Sequence, residues 1–331
     1  MPDVKEINMP WVIGCDEAGY GPPLGCFTQA SVAIKLPETM DSVENTWSAF
    51  PDIFRRRKGA AKARPGDLPM VIDDSKLMTQ LDSGLPHMAT LWPCLFQLPI
   101  PFPETLDSFL NWAHLPHEKT YLEDPTFNPR KTITWGVEEQ QRLLIKDKLA
   151  TAGLGHGIAK ISMVSPSFFN KIINKTLNKS SVLELGWKGH ICWWLNELPG
   201  DDPLVIISDR LGGKKSYTSL FQETLQGNGI VQVIAENNEG ATYKVMGARR
   251  EILLMVRTKA DFRYLPVAAA SMLAKHLREI SMEMVNEFWQ TLQPGIKPTA
   301  GYPEDGKRFY DEIKHLLPKH QIKEFSVWRQ R

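Results

Sequence analysis

The chain has 331 residues, 42% hydrophobic and 23% charged, with a formal net charge of +1. That composition belongs to a globular protein with a sizeable core and excludes a low-complexity or fibrous chain. It gives no global electrostatic push toward nucleic acid or membrane, so any basic surface must be local. Cys15, Cys26, Cys94 and Cys192 lie far apart with no C-x-x-C pair. This argues against a zinc site or a disulfide scaffold and suits a reducing compartment. The first residues, MPDVKEINMP, carry no apolar signal core, and no stretch is long enough to span a bilayer. Cytoplasm is therefore the expected location.

Residues 11–16 alternate as a strand, and residues 26–36, CFTQASVAIKL, read as a second, with Val32 and Ile34 on one face and Ala33 on the other. The short turn between them predicts antiparallel pairing. Residues 37–70 form a polar excursion whose basic run at residues 55–58, RRRK, could bind phosphates but reads more simply as a solvated loop. MVIDDSKLM, residues 70–78, returns to apolar character and ends in a turn or helix start, with Asp73 and Asp74 read as turn residues. Residues 80–129 are rich in proline and aromatics, show no clear period, and are long for a loop, which predicts a subdomain or an inserted partner surface.

Residues 157–166 give another strand, after which Ser165 caps a helix to about Leu177. SSVLELGWKGHICWWLNELPG, residues 180–200, is an apolar helix stopped by Pro199-Gly200, and Trp193 and Trp194 read as core. Asp201 and Asp202 beyond it read as turn residues. PLVIISD, KSYTSLFQETLQG and GIVQVIAEN then read as strand, helix and strand of an α/β unit. In the long helix that follows, Pro266 suits the first turn, and Ala270, Leu273, Ala274, Leu277, Ile280 and Met284 mark one face. The C-terminus is helical and basic, with seven Lys/Arg against three Asp/Glu over residues 306–331.

The loop GCDEAGYGPPLG, residues 14–25, follows a strand as a dinucleotide-binding loop does. Two features oppose that reading. Asp16 and Glu17 would face a pyrophosphate with like charge, and Pro22-Pro23 lack N–H donors. LGGKKSY likewise lacks the spacing of a P-loop. A divalent-metal site reconciles the charges. Asp16 and Asp209 end strands, Asp261 precedes a small-residue helix, and neighbouring strand ends in an α/β sheet bring such residues together. Adjacent carboxylates in a strand point to opposite faces, so Glu17 is expected to join Asp16 only where the glycine turn bends the chain. The plainer alternative is a set of unrelated strand-end and cap carboxylates. The histidines show no H-x-x-x-H pair, which leaves zinc hydrolysis without support.

Five blocks, in order, resemble the type 2 ribonucleases H: DEAGYGPPLG, DDSKLM, ISDRLGGKKSY, KADFRYLPVAAASMLAKHLRE and GYPEDGKRF. The resemblance covers roughly a third of the chain, and the fourth block is the most specific. It implies a ribonuclease H-like α/β fold: a mixed central sheet flanked by helices, as one domain over residues 1–331. Insertions are expected at about 37–70 and 80–156, with a helical basic segment at about 276–331. The resemblance assigns Asp16, Glu17, Asp209 and Asp261 as catalytic carboxylates holding two Mg²⁺ or Mn²⁺ ions with substrate. It implies hydrolysis of the RNA strand of an RNA–DNA hybrid, or of ribonucleotide-containing DNA, leaving 5′-phosphate and 3′-hydroxyl ends. Gly19, Tyr20, Gly21, Lys76 and Tyr302 fall on its substrate-binding positions, where the loop backbone would read the 2′-hydroxyl. The family usually has Gly-Arg-Gly where this chain has Gly19-Tyr20-Gly21, and Glu279 stands in place of an aspartate. The insertions imply added substrate contacts or a protein partner. Two rivals remain: the same fold acting on another nucleic acid, and a non-cleaving binding module.

Overall fold

The computed structural model describes residues 11–37, 43–56, 64–65, 67–79, 84–96, 102–116, 119–154, 157–211 and 214–330. The N-terminal ten residues, Arg57 and Lys58 of the basic run, and Gly212-Gly213 lie outside the described residues.

The chain begins with β1 (Trp11–Ala18) and β2 (Phe27–Lys35), followed by the short β3 (Phe54–Arg55), β4 (Met70–Val71) and α1 (Ser75–Met78). Three helices come next: α2 (Gly84–Leu95), α3 (Leu106–Ala113) and α4 (Glu139–Thr151). Then follow β5 (Ile158–Val164), α5 (Pro166–Thr176), α6 (Ser180–Glu197), β6 (Leu204–Asp209) and α7 (Thr218–Leu225). The last elements are β7 (Ile230–Asn237), β8 (Gly240–Met246), β9 (Ile252–Arg257), α8 (Ala260–Arg263), α9 (Leu265–Leu292) and α10 (Pro303–Ile313).

Seven strands form one mixed sheet in the order β5-β2-β1-β6-β9-β8-β7. β1 pairs antiparallel with β2, as expected, and β2 antiparallel with β5. β1, β6 and β9 run parallel, so their C-terminal ends share one edge of the sheet. The strand, helix and strand read at β6–α7–β7 are all present. β7 is not the neighbour of β6 but the outer strand of an antiparallel meander with β8 and β9. β9, buried along ILLMV, takes the place beside β6. A strand covered on both faces carries no alternation to reveal it.

Helices cover both faces of the sheet. The predicted α9 face is buried as a unit: Ala270, Leu273, Ala274, Leu277, Ile280 and Met284 pack with Ala30, Val32 and Ile34 of β2. Full burial of each leucine contributes about 1.5–3 kcal/mol. α9 crosses β1 so closely that a Cβ at Gly14 would overlap the backbone of Pro266 and Val267. The opposite face holds Ile13, Cys15 and Ala33 against Phe169, Trp187, Ile191, Trp194 and Phe221. Ser165 caps α5 as read, its hydroxyl accepting from the Phe168 N–H.

The insertions join this core. Met88, Leu91 and Trp92 of α2, Phe109 of α3, and Tyr121 lie in the same apolar cluster as Leu273 and Leu277, as do Phe50, Ile53 and Phe54. Residues 84–95 show no period because the helix is buried nearly all round and contains Pro93.

Candidate active site

The site is set by strand register. Cys15 of β1 pairs with Ser208 of β6, so the next residues, Asp16 and Asp209, stand side by side where the two parallel strands end. Asp209 pairs in turn with Arg257 of β9, and the chain turns at once into α8, whose first turn carries Asp261. By strand alternation Asp16 shares the face of Val12 and Gly14, against α9, while Glu17 shares that of Ile13 and Cys15.

β1 does not bend away after Asp16, which corrects the expected turn. Asp16 and Glu17 both stay in the ladder, opposite Ala30 and Gln29. They nonetheless act on each other electrostatically.

The four carboxylates act on one another electrostatically. Burial, then the charge of Glu17, raises the Asp16 carboxyl well above its ordinary range, against a hydrogen bond from Ser271. Burial, then Asp209, pushes Glu17 up to about 7. Asp209 is raised by burial, partly offset by the N–H of Arg210 at 2.7 Å. Asp261 is raised by burial and then by Asp74, while the Phe262 N–H donates to it at 2.8 Å. The exposed Lys76 of α1 is the cation that lowers Glu17, Asp209 and Asp261 alike. Hydroxyls of Ser75 and Ser271, 3.1 Å apart, tie α1 to α9. Crowded carboxylates held above their usual pKa are what a hard cation relieves. Among the described residues no three His, Cys, Asp or Glu side chains converge as a finished metal-ligand set. The four residues are part-buried rather than sealed, a setting in which Mg²⁺ or Mn²⁺ would keep waters.

The glycine loop and the turn before α10 meet over one side chain. Gly19 has φ +81°, and a Cβ there would fall 2.6 Å from Nε of the buried Arg278. Gly25 and Gly301 close over the same guanidinium, whose Nη1 and Nη2 have no hydrogen-bond partner. Arg278 of α9 thus forms a floor shared by the loop and by the turn carrying the exposed Tyr302. A second buried arginine, Arg329, donates to the carbonyls of Gly19 (2.5 Å) and Pro22. Its own N–H donates to Pro23 at 2.8 Å, and Asn170 of α5 binds the Phe325 and Trp328 carbonyls at 2.9 and 2.8 Å. The C-terminal segment is therefore a strap under the loop. Gly21 is open, with no atom near where a Cβ would lie. Tyr20 packs against Phe27 at 5.8 Å, and the Lys179 ammonium sits 4.9 Å over its ring.

The sequence reading missed Arg278 and Arg329 as loop supports, Ser271 beside Asp16, and Asp74, which is a turn residue bonding the Lys76 N–H at 2.8 Å but also acts on Asp261. It also took Arg56 as solvated, whereas its guanidinium stacks on Phe262, next to Asp261. Only the signature DDSKLM pointed toward Asp74. The arginine contacts join residues hundreds of positions apart and leave no local signal.

Fold and site together define an α/β protein with a row of carboxylates at parallel strand ends, beside a glycine loop braced by arginines. Residues 220–316 match the family model described as Ribonuclease HII. That match covers less than a third of the chain and makes it similar to the family over those residues. No curated protein matches it. Among solved structures, it is 15% identical to a chain of the PCNA:RNase HII complex from Archaeoglobus fulgidus, covering 97% of this chain and 94% of that one at TM-score 0.41. It is 14% identical to ribonuclease H2 from Pyrococcus horikoshii OT3, covering 96% and 92% at TM-score 0.41. It is 12% identical to Bst-RNase HIII in complex with Mn²⁺, covering 99% and 70% at TM-score 0.40.

Proposed function

We propose that the protein is a metal-dependent endoribonuclease that hydrolyses the RNA strand of RNA–DNA hybrids. The observation that carries this reading is the register of β1 on β6, which sets Asp16 beside Asp209 with Glu17 and Asp261 in electrostatic contact. Support also comes from the family match over residues 220–316.

Asp16, Glu17, Asp209 and Asp261 would hold two Mg²⁺ or Mn²⁺ ions, which when bound supply charge neutralisation and water activation at the phosphodiester. The protein's own groups do the rest. The carboxylates must shed their shared protons to bind cations, and Lys76 favours that charged state. The Gly19–Gly21 backbone lies against the sugar edge, where a close approach can read the 2′-hydroxyl. Tyr302, exposed at the start of α10, offers a ring to the sugar at the cut junction. Products carry 5′-phosphate and 3′-hydroxyl ends.

One observation keeps a second substrate in view. The loop has Tyr20 in place of arginine, and positive charge there comes instead from Lys179 over its ring. A lysine ammonium offers a point charge where a loop arginine would offer a fork.

The test is cleavage, with Mg²⁺ or Mn²⁺, of an RNA–DNA hybrid, a DNA duplex carrying one ribonucleotide, and plain DNA. Hybrid cut with plain DNA intact supports the proposal. Plain DNA cut as fast as hybrid removes the RNA specificity. Tight hybrid binding without cleavage in either metal makes the protein a binding module.

A further inference from the structure

The inserted segment before α1 reaches the carboxylate row through one side chain. The Arg56 guanidinium lies between two rings, 4.3 Å from the centroid of Trp47 and 4.1 Å from that of Phe262. Phe262 directly follows Asp261 and is 59% exposed. The segment is pinned to the same helix end: Tyr264 Oη donates to Glu44 at 2.7 Å, and the Leu265 N–H donates to Thr46 at 3.0 Å. Its other end pairs β3 with β4. Arg56 is thus fixed from both sides, next to the carboxylates.

A guanidinium stacked face-on between rings keeps its N–H edge in the plane, free to fork a phosphate. The stack also holds the rotamer, so little entropy remains to be lost on binding. Asp73 Oδ1 forms an ion pair with Nη1 at 3.5 Å, and Nη1 is itself buried without a hydrogen bond, so with the side chain 27% exposed the edge left for a phosphate is that of Nε and Nη2. An exposed aromatic face beside an arginine edge is the arrangement that grips a nucleic-acid backbone while stacking on a sugar or base.

We propose that Arg56 is a backbone-phosphate contact supplied by the inserted segment, with Phe262 as the stacking face beside it. This extends the nucleic-acid site past Asp261 on the side away from the glycine loop. It rests on the nuclease reading above, and no motif that suggested the family contains Arg56.

The experiment measures binding of a fluorescein-labelled RNA–DNA hybrid against salt, in Mg²⁺, by the full chain carrying Asp16→Asn to prevent cutting. In that background, Arg56→Met keeps an apolar stem between the rings, and Arg56→Lys keeps the charge. Arg56→Met should weaken binding about tenfold and lower the slope of log affinity against log salt by about 0.9. Arg56→Lys should restore the slope. Unchanged slope and affinity in Arg56→Met overturn the proposal, as does an equal loss in both variants with a lowered melting temperature, the mark of a clamp on α8. The nuclease reading fails separately: wild-type protein then leaves the hybrid uncut, whatever the salt slopes show.

Discussion

Two clusters of charge stand on either side of the glycine loop, and the fold treats them in opposite ways. At the strand ends, Asp16, Glu17, Asp209 and Asp261 are left half-buried beside one another, with Lys76 as the nearby cation acting on three of them. Beneath the loop, Arg278 and Arg329 are sealed, about 2% and 1% exposed, and close over backbone. The strand-end cluster keeps an electrostatic conflict that the proposed cations would resolve. In the sealed cluster Arg329 Nη2 donates to the loop carbonyls while Nη1 and Nη2 of Arg278 lie under the glycines without a partner, and the work of both is to hold shape. Charge left unresolved at a surface marks function; charge buried against backbone marks architecture.

The contrast can be broken most forcefully with metal. Mn²⁺ at a hundredfold excess over its dissociation constant should stabilise the protein at pH 8 by about 2.7 kcal/mol. The same addition to Asp16→Asn/Asp209→Asn should shift the melting curve little. Equal stabilisation of both proteins would place the metal elsewhere. Arg329→Met tests the sealed side. It strips the Gly19 and Pro22 carbonyls of their donor and should cost about 2 kcal/mol in chemical denaturation, with or without metal. A loss that metal restores would show that the two clusters are not separate in kind.

pH sharpens the comparison further. Glu17 rises from 4.5 to about 7 on folding, so the folded chain binds its proton more tightly than the unfolded one. Its contribution is fully present below pH 4.5 and is lost as pH rises through about 7. His114, His190 and His276, lowered by burial to about 4, 3 and 4, act in the opposite sense. The difference in stability between wild type and Glu17→Gln, without metal, cancels the histidines and should fall across this window. A flat difference would mean that Glu17 is not held in the carboxylate row. The smallest effect is at Tyr20. Tyr20→Arg should raise cleavage at a single embedded ribonucleotide by roughly the tenfold that a charge-assisted contact contributes, with little change on continuous hybrid. No change would mean that Lys179 already supplies the charge.

What the sequence made legible follows from what leaves a local pattern. The α9 face was readable because its apolar residues recur on one side, and β1 and β2, though buried on both faces, were readable as apolar runs on either side of the glycine- and proline-rich turn. β9 was not read, although its buried run ILLMV is as apolar as that of β2, so the strand beside β6 went unassigned. α4 also passed unseen, since its leucines spread round the helix and Leu143 and Leu144 face solvent. The four carboxylates were named from short motifs, but their proximity depends on a parallel register no motif encodes. The arginine floor was illegible for the same reason: Arg329 meets Gly19 across 310 positions.

The central claim is that the carboxylate row cuts RNA. Its most direct test is hybrid cleavage in Mn²⁺ by wild type, Asp16→Asn, Glu17→Gln, Asp209→Asn and Asp261→Asn, each checked for an intact melting transition. All four variants should lose activity on the order of a thousandfold, the scale of several kcal/mol of transition-state stabilisation, while staying folded. Folded variants that cleave within about tenfold of wild type, a difference worth only about 1.4 kcal/mol, would contradict the account.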